Sequence, residues 1–207
     1  MSSATSISRR TLILSCSPRE GGNSDVASRL VSEEFASLRP NAPHVVRRLA
    51  DFRVRPCMAC DFCLGHPGLC SMDGQDEAGL LLSSLCAPSP LLPVNVLVSP
   101  IHFYHLPARL KSLLDRSQSS WRLPPEERPG HGAKLAVILL AARERGDKLF
   151  EGSLLTLRHV ALALGLELVE PLTLYGLDEP DALSCNGKAR ERVQQYARSL
   201  LADTATA

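Results

Sequence analysis

Short apolar runs alternate along the chain with longer segments in which apolar residues recur at helical spacing. The short runs predict strands and the longer segments predict helices. The predicted strands are 11–16, 44–49, 93–99, 133–140 and 166–174, the last weakened or broken by Pro171. The predicted helices are 23–38, 75–86, 107–117, 148–164 and 186–202. This alternation is typical of a doubly wound α/β fold, with a five-stranded parallel sheet covered by helices on both faces.

The length and the charge of the chain limit its function classes. The 207 residues suffice for one well-buried α/β domain, so we expect a single domain over 1–207 with its core at about 10–202. A formal charge of +1 gives no broad attraction to nucleic acid or to an anionic membrane. The apolar runs are too short to cross a bilayer, and the first ten residues lack the apolar stretch of a secretory signal. We therefore expect a cytoplasmic protein with no nucleic-acid or membrane partner.

The segment 15–24 joins the first predicted strand to the first predicted helix. A phosphate binds where several donors converge near the positive end of a helix dipole. Glycines at 21 and 22 allow the backbone to curl so that its amides face inward. The segment matches neither the GxGxxG nor the Walker lysine pattern, which argues against a tightly held dinucleotide or nucleoside triphosphate. The alternative is a plain turn rich in capping residues. The candidate phosphate-binding residues are Ser15, Ser17, Arg19, Asn23 and Ser24.

The segment 99–106 leaves the third predicted strand at its carboxyl end. In a doubly wound sheet this end carries the ligand crevice. Pro100 stiffens the turn, and the residues after it can line a flat slot for a planar ring. The alternative is an apolar loop that only packs against the following helix. The candidate ring-binding residues are Pro100, Ile101, His102, Phe103 and Tyr104.

Both segments resemble motifs of one family. The sequence SCSPREGGNS at 15–24 is similar to the SxSPRxxGNS phosphate loop of the NADPH-dependent FMN reductase family. The sequence from Ser99 to Arg116 resembles that family's S-P-x-Y-x-x-x-x-x-A-x-L-K-x-x-x-D-R. The resemblance runs from about Thr11 to Arg116, slightly over half of the chain. His102 stands where the family usually has an aromatic residue, so we expect Phe103, Tyr104 or a neighbouring subunit to supply the stacking surface.

The resemblance implies a flavodoxin-like fold with strand order 2-1-3-4-5. It implies FMN as the cofactor, with its phosphate on the 15–24 segment and its isoalloxazine on the 100–104 segment. It implies NADPH or NADH as a substrate and a homodimer or homotetramer as the assembly. Arg143 and Arg145, after the fourth predicted strand, are candidates to attract the NADPH phosphate, although solvent-exposed arginines are the simpler interpretation.

Four of the seven cysteines fall within fourteen residues, at 57, 60, 63 and 70. In a reducing compartment, clustered cysteines more often bind metal or do redox chemistry than form structural disulfides. The triple run favours iron–sulfur over zinc, which more commonly takes two separated CxxC pairs. The spacing also resembles the iron–sulfur flavoprotein branch, which implies a 4Fe–4S cluster that feeds FMN. The candidate ligands are Cys57, Cys60, Cys63 and Cys70; free thiols, a disulfide and zinc are the alternatives.

The resemblance, together with these patterns, implies an FMN-dependent oxidoreductase. Electrons would come from NADPH, NADH or a ferredoxin-like donor and pass to a small-molecule acceptor, while the protein supplies orientation and electrostatics. We expect no catalytic acid–base residue. Because the cysteine loop follows the second predicted strand, we expect the cluster and the flavin at the same sheet edge. One alternative is a non-enzymatic electron carrier or redox sensor, and another is a zinc-stabilised fold that has lost its flavin.

Overall fold

The computed structural model describes residues 10–202, which form a parallel sheet between two layers of helices. The sheet order is β2-β1-β3-β4-β5, with β6 paired to β4, so the predicted flavodoxin-like order is confirmed. The strands are β1 (Thr11–Ser15), β2 (His44–Arg48), β3 (Val94–Pro100), β4 (Lys134–Leu140), β5 (Glu167–Leu168) and β6 (Leu172–Leu174).

Burial explains where each strand lies. β1 is fully buried, and β3 and β4 are buried along nearly their whole length, as expected for central strands with apolar residues on both faces. β2 carries two arginines, is only half-buried and lies at the sheet edge. The predicted last strand is interrupted at Pro171, which has no amide to donate to the ladder. Its two halves, β5 and β6, both pair with β4.

Alternate residues of the strands point to opposite faces and so build two cores. Leu12 and Leu14 of β1 pack in one core, and Ile13 packs in the other. The first core also contains residues of α3, α4 and α6, and the second contains residues of α1, α7 and α8. The helices are α1 (Asn23–Leu38), α2 (Phe62–Gly65), α3 (Ala78–Cys86), α4 (Ala108–Asp115), α5 (Gln118–Trp121), α6 (Glu151–Leu164), α7 (Ala182–Cys185) and α8 (Gly187–Ala202).

Two helices begin three residues later than the sequence pattern predicts. α3 begins at Ala78 because the carboxylate of Asp76 accepts the Ala78 amide hydrogen bond at 3.1 Å and lies outside the helix. α6 begins at Glu151 because Lys148 has a φ of 59°, which is incompatible with a right-handed helix. The end of α6 agrees with the prediction, since Gly165 closes it in the left-handed conformation. Between residues 10 and 202, no helix combines the length and the apolar character that crossing a membrane requires.

Candidate functional site

A cavity of about 320 Å³ lies where the central strands end, at the carboxyl edge of the sheet. It joins the turn between β1 and α1 to the loop after β3, as the sequence predicts for a ligand crevice. The predicted site residues that line it are Ser17, Arg19, Asn23, Ser24, Pro100, Ile101 and His102. Leu140 and Ala142 around the end of β4, and Leu177 and Asp178 after β6, complete the wall.

The turn between β1 and α1 has a backbone suited to an anion. Gly21 has a φ of +70°, a conformation that favours glycine, and this φ turns the chain into α1. No described side chain caps the first turn of α1, whose N-cap is Gly22. The amides of a helix's first turn have no partner within the helix, so they are available to a phosphate group. Ser17 and Ser24, both buried, face the same cavity.

The carboxylate of Asp25 stabilises the turn between β1 and α1. Its carboxylate accepts a hydrogen bond from the Ser15 hydroxyl and another, at 2.8 Å, from the Gly21 amide. Arg48 at the end of β2 lies 3.3 Å from the same carboxylate. Ser15 is completely buried and does not line the cavity, so in the described structure its hydroxyl supports the turn. Its direct contact with a phosphate stays a prediction. The sequence patterns did not identify Asp25 as a site residue. Its position in the first turn of α1, where an acidic side chain is near the phosphate turn, could have indicated this role.

The side chain of Asn23 also has a structural role. It donates to the carbonyls of Leu177 at 3.2 Å and Glu179 at 2.8 Å. It accepts a hydrogen bond from the Leu183 amide at 2.9 Å. These bonds fix the segment after β6 against the start of α1. In the described structure the Asn23 side chain therefore tethers this segment, and its donation to a phosphate stays a prediction. The sequence patterns did not identify the segment after β6 as part of the site. Because the carboxyl ends of parallel strands lie at one edge of the sheet, the segment that follows the last strand could have been predicted to lie there.

The loop after β3 contains a tight two-residue turn. The backbone groups of His102 and His105 exchange hydrogen bonds of 2.8 and 2.9 Å. Between them Phe103 and Tyr104 have φ values of 48° and 63°, in the left-handed region that favours glycine or asparagine. Such residues store strain that the surrounding structure must offset. The turn holds the Phe103 side chain out, with an exposure of 101%.

A second cavity of about 270 Å³ adjoins the first and shares Ile101 and Ala142 with it. Phe103, Tyr104 and Arg143 line it, so both predicted aromatic residues face this space. The Arg143 guanidinium donates to the Tyr104 hydroxyl at 3.3 Å and lies 5.7 Å from the centre of its ring. We call these two adjoining cavities together the edge cavity. It extends from the β1–α1 turn to the turn that contains Phe103 and Tyr104, which we call the aromatic turn.

The four clustered cysteines line a separate cavity of about 330 Å³, called the cysteine cavity below. It shares no lining residue with the edge cavity. Its other wall comes from the end of α4 and from α5, including Asp115, Arg116 and Arg122. α4 is eight residues long, about 12 Å at 1.5 Å per residue, and its start follows the aromatic turn. The cysteine cavity is therefore separate from the edge cavity, and the expectation that both centres lie at the same sheet edge stays a prediction.

All four thiols in this cavity are free. Among residues 10–202, no group of three or more His, Cys, Asp or Glu side chains is arranged to hold a metal ion. The thiols as described therefore do not fit the predicted 4Fe–4S cluster or the zinc alternative. The cavity is lined by two segments of the cysteine loop: 57–63, which includes the start of the short helix α2, and 70–72, which follows the turn after α2.

Arg116 organises this region. Its side chain is 1% exposed, and its guanidinium lies 3.0 Å from the completely buried carboxylate of Asp76. Its Nε donates to the Cys70 sulfur at 3.2 Å. Burial raises the pKa of Asp76, but hydrogen bonds from the amides of Arg55 and Ala78 and the charge of Arg116 outweigh it, so the pKa is lowered. Sequence reasoning gave Arg116 no role, although its position in the helix motif was visible.

The fold and the edge cavity define a flavodoxin-like protein, in which a ligand binds across the ends of parallel strands. A sequence model of the NADPH-dependent FMN reductase family matches residues 9–166. The chain belongs to this family of FMN-dependent oxidoreductases, as the two sequence motifs indicate. No curated protein sequence matches the chain significantly.

Solved structures give the same fold. An FMN-dependent NADH-azoreductase from Bacillus anthracis, solved with FMN, has a TM-score of 0.63 and 18% identity, over 93% of this chain and 99% of that one. An NAD(P)H:quinone oxidoreductase from Methanothermobacter marburgensis has a TM-score of 0.65 and 18% identity, over 93% and 97%. A flavone reductase has a TM-score of 0.68 and 10% identity, over 95% of this chain; the chain spans 63% of that protein's length.

Proposed function

We propose that this chain holds FMN in the edge cavity and uses it to pass electrons from NADPH or NADH to a small-molecule acceptor. The observation that carries the proposal is the pair of adjoining cavities between the β1–α1 turn and the aromatic turn after β3. Family membership supplies the cofactor class. An elongated ligand with a phosphate at one end and a flat ring at the other matches this arrangement of a donor-rich turn and an aromatic turn.

The phosphate end of the cavity is assigned to the β1–α1 turn. The backbone of Gly22, Asn23 and Ser24 begins α1 without a side-chain cap, so the dipole and the free amides of this helix favour a dianion. Ser17 and Arg19 add a hydroxyl and a positive charge to the same wall. Asp25 carries negative charge, but the Ser15 hydroxyl and Arg48 bind it on the far side of the turn.

The ring end is assigned to the loop after β3. Pro100, Ile101 and His102 line the first part of the cavity, and Phe103 and Tyr104 line the second. The bound flavin would supply the hydride and electron chemistry, so the protein's part is to hold the ring and exclude water. Arg143 stands beside the ring end and supplies a positive charge for the phosphate of a nicotinamide cofactor.

The experiment is anaerobic mixing of the FMN-loaded protein with NADPH and, separately, with NADH. Rapid bleaching of the flavin absorption band supports the reductase. Reduction only by a protein donor such as a ferredoxin would instead favour the electron-carrier alternative. A chain that binds no FMN on titration would contradict the assignment of the edge cavity.

We further propose a homodimer or homotetramer in the cytoplasm. A residue of 101% exposure at the ring end, Phe103, supports a partner subunit that covers the flavin. Light scattering of the FMN-bound protein measures the assembly, and a monomer would contradict it. An iron–sulfur cluster is not included in the proposed function, because the cysteine cavity as described does not present a metal-binding group.

A further inference from the structure

The core fixes the two ends of the aromatic turn but not its tip. Ile101 packs against the first core, and its amide donates to the Leu140 carbonyl at 2.8 Å. Leu106, at the other end, is buried in the same core. Phe103 and Tyr104 at the tip have positive φ values, which cost free energy that other contacts must offset. Contacts from another element are therefore needed to keep the tip in this conformation.

The first turns of α6 supply such contacts. Nε2 of His105 shares a hydrogen bond of 3.3 Å with the Thr156 hydroxyl. A Cβ atom at Gly152 would lie 3.2 Å from Cδ2 of His105 and 3.5 Å from the Tyr104 carbonyl oxygen. The turn thus approaches the helix at a position that has no side chain. Because Gly152 and Thr156 are four residues apart, they lie on the same face of α6.

This attachment lies outside the space that a ligand would occupy. His105, Thr156 and Gly152 do not line the edge cavity, whereas the other histidine of the turn, His102, does. The His102 imidazole has no hydrogen-bond partner among residues 10–202, so His105 alone of the two ties the turn to α6 through its side chain. A substitution at His105, Thr156 or Gly152 leaves every cavity-lining side chain in place, so its effect on a ligand must pass through the turn.

We propose that His105 is a positioning residue for the ring end of the edge cavity. Its bond to Thr156 fixes the aromatic turn on α6 and so sets the position of Phe103 and Tyr104, which line that end. A surface that is ordered before a ligand arrives binds more tightly, because less ordering is needed on binding. The inference rests on the proposed function where it concerns FMN, while the attachment of the turn is a property of the chain without ligand.

The first experiment measures amide hydrogen exchange of the full chain without FMN, by mass spectrometry. The His102 and His105 amides donate to each other's carbonyls, so exchange in the segment 101–106 reports opening of the turn. We expect His105→Leu and Thr156→Val each to raise this exchange about two- to tenfold, the equivalent of one hydrogen bond. His105→Gln, which keeps a polar group able to reach the Thr156 hydroxyl, is expected to restore slow exchange.

The second experiment measures FMN affinity by fluorescence titration. We expect His105→Leu and Thr156→Val each to weaken FMN binding about two- to tenfold, and His105→Gln to bind as the wild type does. The double variant should bind no more weakly than Thr156→Val alone, because both substitutions remove the same bond. His159→Leu is the matched control, since His159 is an exposed histidine of α6 without a hydrogen bond to the described residues of the turn. We expect it to change neither exchange nor affinity.

Gly152→Ala separates positioning of the turn from stability of the fold. Alanine favours a helix more than glycine does, so the free energy of unfolding, measured by denaturant titration, should be unchanged or higher. The added Cβ requires His105 to move by a few tenths of an ångström. We therefore expect weaker FMN binding, by about two- to tenfold, without any loss of stability. Unchanged FMN affinity in this variant would contradict the positioning role.

The remaining outcomes separate this inference from the proposed function. Normal FMN binding by the wild type, with unchanged exchange or unchanged affinity in His105→Leu and Thr156→Val, would overturn only the inference. Equal effects of His105→Leu and His159→Leu would overturn it as well. A wild type that binds no FMN, with faster exchange in the two variants, would contradict the proposed function and support the attachment of the turn to α6.

Discussion

The edge cavity and the cysteine cavity are built in different ways. The edge cavity lies on the ends of strands that pair over long registers, such as Val94–Pro100 of β3 with Lys134–Leu140 of β4. Most of its walls come from four chain segments that follow strand ends, two of them tethered by Asp25 and Asn23. The cysteine cavity lies on a long loop between β2 and α3, which is tied to the core by the buried Arg116–Asp76 ion pair and by the buried side chain of Met72.

This difference has a consequence for sensitivity to change. A sheet-based site distributes its support over many hydrogen bonds, so one substitution alters ligand affinity more than stability. A loop anchored in part by a fully buried ion pair is sensitive to that pair, because removing one member leaves an uncompensated buried charge. We expect the largest effects on stability in the cysteine region and smaller, function-specific effects in the edge cavity.

The largest expected effect is that of Arg116→Met. The substitution leaves the carboxylate of Asp76, which is 0% exposed, without its cation. We expect a loss of about 3–5 kcal/mol in the free energy of unfolding, measured by denaturant titration. Arg122→Met, an exposed position lining the same cavity, is the control and is expected to change stability by less than about 0.5 kcal/mol. Equal stability of the two variants would contradict the role given to Arg116.

The next effect is that of Asp25→Ala on FMN binding. The variant removes the acceptor for the Ser15 hydroxyl and the Gly21 amide, so the phosphate turn loses its support. Hydrogen bonds to charged groups contribute about 1.5–3 kcal/mol, which corresponds to a 10- to 100-fold weaker FMN affinity by fluorescence titration. The control is Glu33→Ala on the same helix, in an ion pair whose side chains are 65% and 60% exposed. If Asp25→Ala bound FMN with unchanged affinity, the hydrogen bonds of Asp25 would not be needed to hold the phosphate turn.

Phe103→Asn is expected to have a smaller effect, which raises the stability of the FMN-free protein and lowers its affinity for FMN. Asparagine accepts the φ of 48° more readily than phenylalanine, and the exposed ring loses no packing within the chain. We expect the protein without FMN to gain about 1 kcal/mol in the free energy of unfolding. We also expect FMN to bind more weakly, because an aromatic surface is lost. A gain in stability without any loss of affinity would exclude Phe103 from the ring end.

The smallest expected effect is a decrease in the free energy of unfolding at low pH. The pKa of Asp76 is lowered in the folded protein, so its stabilising contribution is complete above the unfolded pKa of about 3.9 and is lost as pH falls through the folded value. Between about pH 5 and 8 the free energy of unfolding should therefore not change because of Asp76. Below about pH 4 it should decline, and less so in Asp76→Asn. The control is Asp147→Asn, an exposed carboxylate without an ion pair in the described structure.

The central elements of the fold were predictable from sequence. The apolar runs of β1, β3 and β4 and the helical spacing of α1 and α8 indicate their elements almost to the residue. The break at Pro171 was also visible, because proline lacks an amide wherever it occurs. These features depend on local stereochemistry and on the need to bury apolar side chains, both of which are properties of the sequence itself.

The two motif segments likewise placed most lining residues of the edge cavity, since parallel strands end at one edge whatever their loops do. Only the tertiary structure decided the roles within these segments. Ser15 and Asn23 look like phosphate donors in the sequence, yet Asp25 and the segment 177–183 take their hydrogen bonds. The position of the cysteines at the far end of α4, and their dependence on Arg116, were decided in the same way. Each polar side chain can hydrogen-bond either to a ligand or to a residue that is distant in the sequence. The spacing of residues in the sequence does not indicate which of these partners it takes in the folded protein.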